Sequence, residues 1–265
     1  MDVKNLLKEL HLFAKSSLSQ SFLNSENISE KIVRHAALSK EDVVLEIGMG
    51  LGILTTFLQK KVSQVITVEK DKRLALAIPS LQKFDPKTEV IVSDFLKYDL
   101  KELKERFKTI KVVANLPFHI STEILFRLFE HHDWIQSMTL MFQREVGKRI
   151  VAQPGNKDYG ILSLLTQLYS KPKILFEVKS HSFYPVPKVS ASVIFFEMRK
   201  ELPLPKKEAA FFIQVVKMAF GQRRKTLYNN LRRFFPSDFK TMIDLKRRAE
   251  TLSFEEFKEL TRSLK

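Results

Sequence analysis

Val43-Val44-Leu45-Glu46-Ile47-Gly48-Met49-Gly50-Leu51-Gly52 is the stretch that decides how this chain is read. Its first five residues are apolar except for one carboxylate, and Val43, Val44 and Ile47 are β-branched. Such a run suits a strand buried on both faces. Alternating glycines follow, and a helical pattern covers 53–61. Strand, glycine loop and helix in that order make one βα unit, and outward from it the unit recurs. Val65-Ile66-Thr67-Val68-Glu69 predicts a second strand with a helix over 73–81, and Val90-Ile91-Val92 a third strand. Ile110 to Ala114 predicts a fourth, with a helix over 121–131. Met138 to Phe142 predicts a fifth, with helical pattern over 144–152 and 159–169. Two late strands, 174–178 and 190–196, have only a loop between them, which predicts an antiparallel addition at one edge. Continuous apolar strands alternating with helices imply an α/β fold whose mostly parallel sheet is covered on both faces.

The flanks differ from this core. Residues 1–28 read as a polar arm, in which Leu6, Leu7, Leu10 and Phe13 have the spacing of a short amphipathic helix. A helix over 29–38 leads into the main domain, 29–200. Glu201-Leu202-Pro203-Leu204-Pro205-Lys206-Lys207 reads as a linker, because its two prolines interrupt helix and strand alike. Beyond it, 201–265 reads as a small all-helical domain.

Charge sharpens the division. The 265 residues hold 45 Lys and Arg against 30 Asp and Glu, a net of +15, and residues 199–265 alone carry +9. An excess of that size suggests a polyanionic partner, nucleic acid before an anionic membrane surface. With no cysteine, disulfides, thiolate zinc sites and a cysteine nucleophile are excluded. Six histidines without a His-x-x-x-His spacing give no ground for a metal site. Met1 to Leu12 lacks the apolar core of a secretory signal, and no apolar run reaches the length of a membrane span. The expected location is the cytoplasm.

Glycines at 48, 50 and 52 allow a tight turn and a close approach of backbone to ligand. The spacing is not that of the dinucleotide-binding loop, and the loop begins with Glu46. A pyrophosphate would be repelled by that carboxylate, whereas a sulfonium or an amino-acid ammonium would be attracted. Glu69, at the end of the second strand, is placed to accept from two ribose hydroxyls. Asp94 follows the third strand and suits an adenine amino group, with Phe95 beside it, although a helix-capping aspartate would also fit. Together these residues describe an adenosine pocket at the carboxyl edge of a parallel sheet.

Asn115-Leu116-Pro117-Phe118 ends the fourth strand at the same edge. An adenine amino group is a poor nucleophile, because its lone pair is delocalised into the ring. Attack on a sulfonium methyl requires that nitrogen to become tetrahedral and gain positive charge. The Asn115 side-chain carbonyl and the Leu116 main-chain carbonyl can each accept one of its N–H bonds and stabilise that charge. Pro117 fixes the turn. Phe118 offers a face to a flipped base. Phe183, within Ser182-Phe183-Tyr184-Pro185-Val186-Pro187-Lys188, is placed to cover the base's other face, or else is the core aromatic of a plain hairpin loop.

These residues resemble the small-subunit ribosomal RNA adenine dimethyltransferase family, over nearly the whole chain. The resemblance is carried by Ser19-Gln20-Ser21-Phe22-Leu23, Glu46 to Gly52, Asp94, Asn115 to Phe118 running into Ile120-Ser121-Thr122, Ser182 to Lys188, and Gln222-Arg223-Arg224-Lys225-Thr226-Leu227. It implies a class I, Rossmann-like methyltransferase domain that uses S-adenosylmethionine. Cofactor contacts are implied at Ser21, Leu23, Gly48, Glu69, Asp94 and Asn115. The implied reaction places two methyl groups on each of two adjacent adenosines in the terminal hairpin of small-subunit rRNA. The partner would be the immature small ribosomal subunit, met by a monomer, with Arg223, Arg224 and Lys225 gripping phosphates. The chain departs from the family's usual pattern twice: Ser21 stands where an asparagine is usual, and Phe118 where a tyrosine is. Three other readings compete. A large-subunit rRNA methyltransferase of the macrolide-resistance type would share the cofactor site, and Leu116 and the Arg-Arg-Lys segment speak against it. A DNA adenine methyltransferase usually has a second proline where Leu116 stands. An assembly factor acting by binding alone would not need the complete tetrapeptide.

Overall fold

A computed structural model describes residues 3–9, 13 and 20–265 of the chain; Leu10 of the expected arm helix and Ser19 of the Ser19–Leu23 motif lie outside them. The chain divides into two compact units, Met1–Gly147 with Lys173–Met198, and Lys148–Pro172 with Arg199–Lys265. Residues 148–172 therefore group with the C-terminal stretch, although they precede the proline linker by some distance in sequence.

The first unit begins with α1 (Val3–Glu9), β1 (Phe22–Leu23) and α2 (Glu26–His35). The repeated strand–helix pattern follows as β2 (Val43–Ile47), α3 (Ile53–Leu58), β3 (Gln64–Glu69), α4 (Lys72–Leu81) and β4 (Thr88–Val92). It continues through α5 (Lys101–Arg106), β5 (Ile110–Asn115), α6 (Ser121–Glu130), β6 (Ile135–Gln143) and α7 (Arg144–Val151). The second half of α7 and all of α8 (Ile161–Tyr169) belong to the second unit, and the chain returns to the first within β7 (Ser170–Val178), followed by β8 (Phe183–Tyr184) and β9 (Ala191–Met198).

Seven strands form one sheet in the order β4-β3-β2-β5-β6-β9-β7. The pairs from β4 to β6 are all parallel, while β9 runs antiparallel to β6. The antiparallel addition thus stands at one edge of the sheet, as expected, with β7 as the outermost strand. Val44, Leu45, Val65, Ile66, Val112 and Met138 are sealed from solvent, as strands covered on both faces require. The order reverses between β2 and β5, whose crossovers leave in opposite directions; that switch point opens a crevice at the carboxyl ends of the strands. A separate two-stranded sheet pairs β1 with β8 antiparallel, Phe22 opposite Tyr184 and Leu23 opposite Phe183. Underneath, Val3, Leu6 and Leu7 of α1 join a buried cluster with Phe22, Met49, Leu51, Leu74 and Ile78.

The second unit is helical. α9 (Lys206–Ala219), α10 (Leu227–Leu231) and α11 (Phe254–Ser263) follow the linker. Phe212, Phe220 and Phe257 form its aromatic core, with the Phe220 and Phe257 rings stacked 5.9 Å apart. Ser253 caps α11 in a reciprocal capping box with Glu256. Among the described residues no helix is long and apolar enough to cross a membrane.

Candidate active site

The crevice at the switch point is an open cavity of about 1130 Å³, measured with the solvent at its mouth. Its walls contain almost every residue that the sequence singles out: Ser21, Leu23, Gly48, Glu69, Asp94 and Asn115 to Phe118. β2, β3, β4 and β5 are parallel and end at one level, so the residues that follow them meet there although some 70 positions separate the first from the last.

The glycine loop follows β2. Gly48, Gly50 and Gly52 all have positive φ, at 75°, 55° and 75°. A Cβ on Gly48 would stand in open space, so that glycine leaves room at the cavity wall, whereas a Cβ on Gly52 would come within 2.8 Å of Ile78 and Phe84. The first glycine therefore keeps the cavity wall open, and the third serves packing. Gly50 donates its N–H to Glu69 Oε2 at 3.1 Å, and Asp71 N–H donates to Oε1 at 2.7 Å. These bonds fix the carboxylate while leaving each oxygen a lone pair for a further donor. Burial holds the Glu69 carboxyl above its ordinary range.

Asp94 accepts from Leu96 N–H at 3.1 Å and from Lys70 Nζ at 2.8 Å. The Lys70 ammonium keeps its carboxyl below the usual range. Lys70 itself lines the cavity; sequence reading missed it, although it directly follows Glu69 and its long side chain reaches the end of the next strand. Gln20 was missed too: its amide donates to Asp71 Oδ2 at 3.1 Å, and Asp71 is also gripped by Arg73 at 2.6 Å, which lowers its pKa to about 2. The arm residue Ser21 donates its hydroxyl to the Pro185 carbonyl at 2.8 Å.

Asn115 is the last residue of β5, and its side-chain amide makes no hydrogen bond among the described residues. Pro117, at φ −59° and ψ 117°, turns the chain into a short 3₁₀ turn over Phe118–Ile120. Buried Ser121 donates its hydroxyl to the Phe118 carbonyl at 3.0 Å, which ties the tetrapeptide to the start of α6. Leu116 is buried and lines the cavity. Phe118 is half-buried on that wall. Phe183 is not on it: the ring is 1% exposed and packs edge-on against Phe118, with centroids 6.3 Å apart and planes at 66°. In this structure Phe183 backs Phe118 from inside the core.

In a chain of net charge +15, this cavity is walled by three carboxylates, Glu46, Glu69 and Asp94. An acidic cleft in a basic protein favours a cationic small molecule. Bound ribose hydroxyls, an adenine amino group and a sulfonium or ammonium match the acceptors present, so the residues fit S-adenosylmethionine.

The second unit holds the basic segment. Arg223 is exposed but committed: it pairs with Glu250 at 3.1 Å and donates to the carbonyls of Tyr159, at 3.3 Å, and Lys157. Arg224 and Lys225 are exposed. Arg247 is paired with Glu256, lowering that carboxyl's pKa to about 2.

A parallel sheet with this strand order, a glycine loop after β2 and acidic residues after β3 and β4 defines a Rossmann-like methyltransferase. Residues 12–265 match the family described as ribosomal RNA adenine dimethylase. The ribosomal RNA small subunit methyltransferase A of Chlorobium phaeobacteroides (strain BS1) is 41% identical over 258 residues, covering 97% of this chain and 96% of the relative. That of Bacillus licheniformis is 38% identical over 278 residues, covering 99% and 95%. The chain belongs to the ribosomal RNA adenine dimethylase family and is an adenine dimethyltransferase acting on rRNA. Two solved structures share its fold. A dimethyladenosine transferase from Plasmodium falciparum has a TM-score of 0.77 at 24% identity, covering 90% of this chain and 95% of that one. The 23S rRNA methyltransferase ErmE has a TM-score of 0.73 at 23% identity, covering 92% and 99%.

Proposed function

We propose that this enzyme dimethylates the N6 amino groups of two adjacent adenosines in the 3′-terminal hairpin of small-subunit (16S) rRNA, using S-adenosylmethionine, during assembly of the small ribosomal subunit. It works as a cytoplasmic monomer on immature subunits. The observation that carries the reading is that Asn115, with an uncommitted amide, ends its strand on the wall of the cavity that also holds Glu69 and Asp94.

S-adenosylmethionine, when bound, supplies an electrophilic methyl group. Glu69 accepts from the ribose hydroxyls and Asp94 from the adenine amino group, with Gly48, Ser21 and Leu23 shaping the rest of the pocket. The Asn115 side-chain oxygen and the Leu116 carbonyl accept the two N–H bonds of the target amine, holding its lone pair out of conjugation and stabilising the charge that develops. After the first transfer one N–H remains, so one acceptor suffices for the second. Pro117 fixes the turn and Ser121 ties the Phe118 carbonyl to the start of α6, so the tetrapeptide is set before substrate arrives, which spares reorganisation in the reaction. Phe118 stacks on the flipped base, and Phe183 acts through Phe118 by holding its ring angle. Since Phe118 has no hydroxyl, polarity at the target comes from Asn115 and Leu116 alone. Arg224 and Lys225 contact rRNA phosphates, while Arg223 orders the loop that presents them.

Transfer of label from S-adenosylmethionine to immature small subunits, compared with free large-subunit rRNA, tests this directly. Label confined to two adjacent adenosines of the small subunit supports it. Label on large-subunit rRNA alone rejects the target, and label on neither rejects the chemistry.

A further inference from the structure

Exposed aromatic rings are rare in this protein. Among the described residues three are exposed, Phe13, Tyr228 and Phe234, and the last two share one short stretch of the second unit. Tyr228 is 49% exposed and Phe234 52%, and Met242, a little further on, is 91% exposed. Apolar surface left in water in this way marks a contact site. The rings of this stretch are connected. Tyr228 lies 6.0 Å from Phe235, tilted by 58°, and Phe235, which follows Phe234, stacks on Phe239 at 4.1 Å with planes 8° apart. The main chain that carries them is braced. Leu227 and Tyr228 donate their N–H groups to the carbonyls of Arg247 and Leu245 at 2.8 and 3.0 Å. The Asn230 side-chain amide donates to the carbonyls of Ala219 and Gln222 at 2.6 and 3.2 Å. Cations interleave with the rings. Arg232 and Arg233 share the 3₁₀ turn of Phe234, Lys240 follows Phe239, and all three are exposed. Asp238 is the one acid between Thr226 and Ile243.

We propose that Tyr228 and Phe234 form a stacking platform for unpaired bases of the rRNA, with Arg232, Arg233 and Lys240 holding phosphates of the same strand. An aromatic face gains from a base of any identity, and it gains nothing from a duplex, whose bases are already stacked on each other. Charge selects this occupant over others. The core of a protein–protein interface is depleted of charge, and a second copy of this chain would set like cations against each other. A membrane surface is met by a long amphipathic helix, whereas α10 has five residues. A single strand of RNA supplies phosphates for the cations and bases for the rings at once. The platform adds a second criterion for the substrate: Arg224 and Lys225 respond to phosphate charge alone, while the rings require that a stretch of the RNA be unpaired. The inference rests on the reading of the second unit as rRNA-binding, and the experiment separates the two.

Fluorescence anisotropy of the full chain, with a labelled RNA of about 12 nucleotides that does not pair with itself and with the duplex of the same length, reads this at several salt concentrations. Phe234→Ala and Tyr228→Ala are each expected to weaken single-strand binding by at least about fivefold, with the slope of log K against log salt unchanged and duplex binding within about twofold of wild type. Phe234→Leu keeps apolar area without a flat face and is expected to lose as much as Phe234→Ala, while Phe234→Trp is expected to bind as wild type does. Arg232→Gln with Arg233→Gln is expected to lower the salt slope for both RNAs. Unchanged single-strand binding in both ring variants, or an equal loss on the duplex, would overturn the platform. Wild-type binding by Phe234→Leu would overturn it too, by reducing the ring to apolar area. So would sedimentation that shows wild-type dimers dissolved by Phe234→Ala, which would give the surface to a second copy. A salt slope lowered by Arg224→Ala with Lys225→Ala, beside ring variants that bind as wild type, would reject the platform alone. Failure of the wild type to bind either RNA would reject the rRNA-binding reading of this unit, and the platform with it.

Discussion

At the carboxyl edge of the sheet, charge is scarce, held and mostly buried; along residues 223–248 it is abundant and mostly free. Glu69 is fixed by two main-chain N–H groups and Asp94 by one N–H and one ammonium. In 223–248 there are nine Lys and Arg against two Asp, and Arg224, Lys225, Arg232, Arg233, Lys240, Lys246 and Arg248 all stand exposed. On the proposed function, the contrast follows from what each region recognises. A single small ligand, with a few donors at fixed places, is distinguished by acceptors that do not move. A polyanion is held by many weak contacts, each screened by salt and none decisive.

The two regions should therefore fail differently. The largest effect is expected at the edge: Asn115→Ala should cut turnover by at least about a hundredfold while changing cofactor affinity by no more than about tenfold, as loss of one oriented acceptor does. Single-turnover rates with a parallel measure of cofactor binding check it; equal losses in both would make Asn115 a binding residue. Next, Gly52→Ala should destabilise the fold by about 1–3 kcal/mol, because its Cβ meets Ile78 and Phe84 at 2.8 Å in a left-handed backbone. Denaturant titration reads this. Gly48→Ala, with open space around its Cβ, should instead cost more in ligand affinity than in packing. In the basic segment, Arg224→Ala with Lys225→Ala should lower the slope of log K against log salt for rRNA binding by up to about 1.5, leaving the melting temperature alone. Arg223→Ala should do the reverse, since it breaks the Glu250 pair and two bonds to main-chain carbonyls. Should Arg223→Ala shift the salt slope as much as the other two, the division between clamp and phosphate contact is wrong. The smallest effect is expected from Phe118→Tyr, within about threefold in turnover, because the stacking face is retained. A much larger gain would mean that a phenolic hydroxyl has a partner in the active complex.

Much of the edge was legible because its signals are local. Val43 to Ile47 is apolar by composition, positive-φ glycines mark the turn, and residues that end parallel strands share a level whatever their separation in sequence. Helix and strand limits moved by a few residues, and α5 gave no period strong enough to be read. What was not legible depends on pairs that sequence does not link. The sequence leaves Phe183 either at the target base or as the core aromatic of a loop, and only its register with Leu23 in the β1–β8 sheet puts the ring in the core against Phe118. Arg223 looks like its neighbours Arg224 and Lys225, and only the position of Glu250, in a turn far along the chain, makes it a clamp. Lys70 carries no local signal: the Glu69 side chain is bonded to the glycine loop, while that of Lys70 crosses to Asp94. Residues 148–172 group with the C-terminal unit through contacts such as Gly155 N–H to the Glu250 carbonyl at 2.8 Å, which no linker signal announces.

The β1–β8 pairing also has a consequence for the order in which the molecule is made. Phe22 and Leu23 emerge early in synthesis but find their strand partners only when Phe183 and Tyr184 have followed, and Asn24 waits likewise for the Ser182 carbonyl. Until then the arm wall of the cavity has the Gln20–Asp71 bond and the apolar cluster around Phe22 but lacks its strand partner, however completely the glycine loop and the tetrapeptide have folded. A nascent chain therefore cannot assemble a finished pocket from its first half, and the last wall to be fixed is the one that was translated first.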